Sequence, residues 1–244
     1  MSISRTFNLT LPAGLNSSDY DAVVEFAIKL SDPNDASQPW KSDVWFSFTA
    51  AWLSYASRLR SAAEYSDEFV SLLEHGTSPP REEQYQQERA LFGCITSTLS
   101  AVECFYLAAY SLAGAVYPSN FPLEKGNDLR RYPNAAATAF ERVDPQDTFS
   151  LELRETANSS GFESLSHLRN RLAHRGMLAR KVYLSTVSDV PAAVPSNPMA
   201  IPHDFIHNAH LGRSTTADHV ALATENLAQL NELFVAFLSK RVPS

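Results

Sequence analysis

The sequence predicts an all-α protein, a bundle of about four main helices with shorter ones between them. Three observations carry this. Two long stretches, Ser42 to His75 and Pro80 to about Tyr117, each repeat apolar residues at three- and four-residue spacing. A third, Thr216 to Lys240, places Val220, Ala223, Leu227, Leu230, Phe234 and Phe237 at unbroken helical steps. Against these stands a single alternating segment, Thr6 to Leu11, which reads as a short strand or an extended arm.

The elements follow in chain order. Residues 1–41 form an N-terminal arm with one short helix, Asp19 to Leu30, whose Val23, Phe26, Ala27 and Leu30 share a face. Ser31 to Pro39 is a loop by composition. Residues 42–244 form the bundle. Ser42 or Asp43 caps its first long helix and Gly76 ends it, with Phe48, Trp52, Ala56, Leu59 and Ala63 as the core stripe. Trp45 and Tyr55 fall off that stripe and face another element. Pro79 and Pro80 open the second long helix, Glu82 and Glu83 lie in its first turn, and Pro118 stops it. Two long helices joined by so few residues make an antiparallel hairpin. Ala135 to Val143 and Thr148 to Ala157 read as short helices, and residues 188–212 as a long loop.

Composition bounds the class. The chain has 244 residues, 44% hydrophobic and 19% charged, ample for a packed core. No secretory leader is expected at Met1, and no apolar run approaches membrane-spanning length, so the reading is a cytoplasmic protein without a membrane partner. Cys94 and Cys104 are ten residues apart on one helix, about 15 Å, too far for a disulfide. His203, His207 and His210 would need a helix to gather round a metal. Pro202, Asn208 and Gly212 weaken that helix and Asp204 is the one acidic neighbour, so neither a metal nor another cofactor is expected. A net charge of −7 argues against non-specific coating of nucleic acid, which rests on phosphate neutralisation.

The chemistry concentrates in Ser160 to Gly176. Ser160 and Glu163 have capping-box spacing and Gly176 suits a helix end. Leu165, Leu168 and Leu172 form the buried stripe, Arg169 flanks it, and Asn170 and His174, four apart, point away from it. Arg169, Arg171, Arg175, Arg180 and Lys181 make the densest basic cluster in the chain. It reads either as a solvated helix end that complements the macrodipole or as a local anion cleft. On the second long helix, Glu103 sits at the edge of the line formed by Leu99, Val102 and Tyr106, half-buried and in need of a partner. That partner is Arg169 in a functional reading, or Arg58 or Arg60 in a structural one.

The run Arg169-Asn170-Arg171-Leu172-Ala173-His174 resembles the R-x4–6-H signature of the HEPN superfamily, including the Asn after the Arg that many members carry. The resemblance implies an all-helical, HEPN-like bundle that dimerises so that two signatures share a cleft. It also implies a metal-independent endoribonuclease. His174 would move the proton, Arg169 would hold the phosphate, Asn170 would orient the His, and Glu103, Arg171 and Arg175 would support them. Glu103 resembles the polar residue that members carry opposite the signature. Other members are inactive interaction or RNA-binding modules, and that is the alternative here. Members paired with an antitoxin-type partner in toxin–antitoxin or defence systems extend the signature to H-x-Y. Gly176 stands in the Tyr place, which leaves modification of that Tyr unsupported.

Overall fold

The computed structural model describes residues 10–30, 39–73, 81–123, 133–174 and 212–242, the side chains of 39–42 and 174 excepted. Among these residues the chain forms seven helices: α1 (Ser17–Leu30), α2 (Pro39–Leu73), α3 (Arg81–Val116), α4 (Pro133–Val143), α5 (Thr148–Asn158), α6 (Ser160–His174) and α7 (Ser214–Ser239). No strand occurs among them. Residues 6–9 of the alternating segment, the Gly76 stop, Pro79 and Pro80, Arg175 to Lys181 and the His203/His207/His210 loop lie outside the described residues.

The α2–α3 pair is the frame. The helices run 35 and 36 residues and pack along their whole length. Their direction is read from three levels. Gln87 donates to the Leu72 carbonyl at 2.8 Å near the turn, Arg89 pairs with Glu68, and Trp52 and Tyr55 meet Phe105 at ring separations of 6.0 and 5.6 Å. Numbers fall on one helix as they rise on the other, which is an antiparallel hairpin. Close approach is secured at Gly93, where an added Cβ would stand 2.8 Å from the Tyr65 ring.

Helices α1, α4, α5 and α7 close the broad end of the hairpin over an aromatic core. Tyr20 stacks on Trp52 at 5.0 Å, and Phe140, Phe149, Phe234 and Phe237 interlock at 4.9–6.5 Å. Such ring pairs add to the area term with edge and offset contacts. Tyr55, read as lying off the α2 stripe, is fully buried because α1 covers that flank. The helix starts are set locally. Asn16 accepts from the Ser18 amide at 2.9 Å, and Asp147 accepts from the Phe149 amide at 3.0 Å. Asp147 is also gripped by Arg241 and Lys240, which ties the chain end to α5.

Two boundaries differ from expectation. α2 begins at Pro39 rather than behind a cap at Ser42 or Asp43, since proline is well suited to the first helical position. The division at 41/42 therefore falls inside a helix, and α1 shares its buried side chains with the bundle core. By length and mean hydropathy α3 is long and apolar enough to cross a membrane, although Thr96, Ser97, Thr98, Ser100 and Glu103 interrupt its apolar residues, in line with the expectation that no uninterrupted run reaches that length. Its Leu91, Ile95, Leu99, Val102 and Phe105 are buried against the other helices.

Candidate functional site

α6 reaches its place through a tight joint. α5 ends at Asn158, and Ser159 serves both helices: its Oγ donates to the Thr156 carbonyl at 2.9 Å and accepts from the Phe162 amide at 3.1 Å. The cap is thus Ser159, not Ser160. Ser160 is already helical, because the α5 C-terminus offers Ser159 a carbonyl to bond. Glu163, expected to complete a capping box, instead lies 3.5 Å from His167 one turn on.

The stripe of α6 faces α3. Leu165 is buried with Phe69, Ala90, Leu91, Ile95 and Leu99, while Leu168 and Leu172 are partly buried against them. This cluster is mostly aliphatic, with Phe69 buried in it and Phe162 packed against it, and small beside the aromatic core. Next to it, between α3, α5, α6 and α7, lies a cavity of about 20 Å³ lined by Val102, Thr156, Phe162, Leu165 and His219 among others. Burial lowers the pKa of His219, and Asp218 opposes the shift.

Arg169 sits half-buried on the flank of this stripe. Its Nε is buried and has no hydrogen-bond partner. Glu103, half-buried on α3, is its electrostatic neighbour. Burial raises the Glu103 pKa, and the Arg169 charge pulls it back only in part. No hydrogen bond or ion pair joins the two among the described residues. Of the alternative partners, Arg60 is paired elsewhere and Arg58 acts on the residue next to Glu103. Arg60 binds Glu64 at 2.8 Å, and the charge of Arg58 acts on the half-buried Cys104 thiol. Cys94 and Cys104 are both free thiols.

The rest of the signature is divided. Asn170 is exposed, as its phase on the helix predicts. Arg171 is half-buried and has an interaction partner. His174 is the last residue of α6, its side chain lying outside the described atoms, as does all of Arg175. No group of His, Cys, Asp and Glu suited to a metal occurs among the described residues.

The sequence reading passed over the surface of α3 beside this site. Thr96 is half-buried with its Oγ1 enclosed and unpaired, and Phe92 and Tyr85 are exposed by 42% and 59%. Their spacing from Glu103 was legible; their exposure was not, since any α3 aromatic could have faced a further helix. Comparison with protein-family models, curated proteins and solved structures finds no match to this chain.

Proposed function

We propose that the protein is an HEPN-like, metal-independent endoribonuclease that works as a homodimer, with Arg169, Asn170 and His174 as its catalytic group. The single observation that supports this reading is Arg169. It is a half-buried guanidinium with an unpartnered Nε beside a carboxyl whose charged form burial disfavours. A cation left so incompletely neutralised favours an external anion, and a phosphodiester supplies one.

The chemistry follows from RNA itself. The 2′-oxygen attacks the adjacent phosphorus, the 2′-O–P bond forms, and the P–O5′ bond breaks to leave a cyclic phosphate and a 5′-hydroxyl. One proton must leave the 2′-hydroxyl and one must reach the O5′ oxygen. Imidazole titrates near neutral pH, and a position at the C-terminus of α6 favours its protonated form. His174 of one protomer therefore suits the general acid, and the second copy supplies the base. Arg169 stabilises charge growing on the phosphoryl oxygens, and Asn170 orients the imidazole or donates to an oxygen.

The test is cleavage of a mixed RNA pool by wild type and His174→Ala purified in parallel, with EDTA present. The expected result is a loss of about 100-fold or more in the variant. Equal cleavage by both would place the activity elsewhere. No cleavage by either, across many RNAs, would move the reading to an inactive HEPN-like interaction or RNA-binding module, which the net charge of −7 favours. Light scattering is the companion measurement, because a monomer of 27.0 kDa at micromolar concentration would remove the shared cleft.

A further inference from the structure

We propose that Tyr85 and Phe92 form a stacking platform for the bases of single-stranded RNA, leading along α3 to Arg169. This deepens the reading above and rests on it for the choice of RNA.

The geometry comes first. Tyr85 and Phe92 are seven residues apart, so they lie within about 20° of one line on α3, roughly 10 Å apart along the axis. Glu103, eleven residues further, returns to the same line within about 20°, at roughly 16 Å from Phe92. Thr96, one turn beyond Phe92, borders it. The line therefore starts at two exposed rings and ends at Glu103 and the Arg169 that acts on it, and between them Leu99 is buried with Leu165 of α6 and the Thr96 hydroxyl is enclosed.

The chemistry selects the occupant. Tyr85 and Phe92 are two of the largest exposed apolar side chains among the described residues, and they stand on one helix face. The turn between them carries the polar Glu88 and Arg89, Arg89 being held by Glu68 on α2. Two rings isolated by polar side chains do not make the continuous apolar surface, about 800 Å² on each partner, that a second copy or a protein partner needs. Each ring does fit a flat base, and stacking is tolerant of base identity. Net charge does not favour RNA, and it sets what the contacts must supply. At −7 the protein cannot hold RNA by general phosphate attraction, so its affinity must come from contacts that charge does not govern, with one guanidinium to set the backbone.

The experiment is fluorescence anisotropy of a 5′-labelled, fully 2′-O-methyl oligoribonucleotide of about ten residues, which cannot be cut by 2′-oxygen attack. Tyr85→Ala and Phe92→Ala should each weaken binding by about 10-fold, Phe92→Trp should restore it, and the salt dependence should be unchanged. Arg169→Ala should instead flatten the salt dependence. Both rings are exposed, so their truncation leaves the core intact. Binding by both alanine variants within twofold of wild type would overturn the proposal, as would no binding by the wild type. A shift from dimer to monomer with unchanged affinity per protomer would assign the rings to a contact between copies and overturn it equally. The two readings fail separately. Ring-dependent binding without His174-dependent cleavage leaves the platform and removes the nuclease; His174-dependent cleavage that ignores both rings does the reverse.

Discussion

The two ends of the bundle are built differently. The aromatic end buries Tyr20, Phe48, Trp52, Tyr55, Phe105, Phe140, Phe149, Phe234 and Phe237, drawn from α1, α2, α3, α4, α5 and α7. The end that carries α6 rests on a short aliphatic cluster in which Leu165 is the α6 side chain fully enclosed. A helix tied by one buried leucine, a half-buried Phe162, two half-buried leucines and a shared serine opens more readily than one locked among interleaved rings. The difference shows where this fold concentrates its buried side chains. Arg169, Asn170 and His174 all stand on the lightly held helix.

The comparison can be broken by truncating one anchor at each end. Trp52→Ala should cost about 3–5 kcal/mol, because the indole touches Tyr20, Phe48, Tyr55 and Phe105 and its removal leaves a cavity that these rings, held on three helices, cannot close. Denaturant unfolding should show one cooperative transition moved to lower midpoint. Leu165→Ala should cost less, about 2–3 kcal/mol, and the loss should be local. Hydrogen exchange is the measurement: amides of α6 should lose protection well before those of α2 and α3. Equal loss everywhere would mean that the two ends unfold as one unit and that the contrast drawn here is only one of composition.

The smallest expected effect sharpens the contrast within the site. The Glu103 pKa is raised in the folded chain by burial, with Arg169 opposing. A raised pKa means that the unfolded chain releases its proton first. The contribution of Glu103 to stability is therefore full below the unfolded pKa and is lost as pH rises through the folded one. Glu103→Gln should match wild type near pH 4 and gain on it toward pH 7, by less than about 1 kcal/mol. Thermal melts across that range check it. A variant less stable than wild type at pH 7 would mean that the pull of Arg169 outweighs burial.

Much of this was legible before the fold. α4, α5 and α7 fall within two residues of the boundaries read from periodicity, and α1 within two at its start. Helical spacing is a local property, and Pro118 marks an end through its own backbone. The flank position of Arg169 and the exposure of Asn170 followed from phase alone. The start of α6 has a different cause: the role of Ser159 depends on a second helix ending against it, and while the phase of Tyr55 predicts a covering element, that this element is α1 is not a local property.

What the sequence determined by itself is that this chain folds as helices, where they run, and which face of each is covered. A repeat of three and four residues records burial, since only a covered face is consistently apolar. Only the tertiary structure decided which helix does the covering. That choice put Glu103 beside Arg169 rather than Arg60, closed α1 over Tyr55, and left Tyr85 and Phe92 in the open. The physical reason is that apolar burial has no direction of its own. It requires that a stripe be taken out of water, and leaves the identity of its partner to how the seven described helices pack at once.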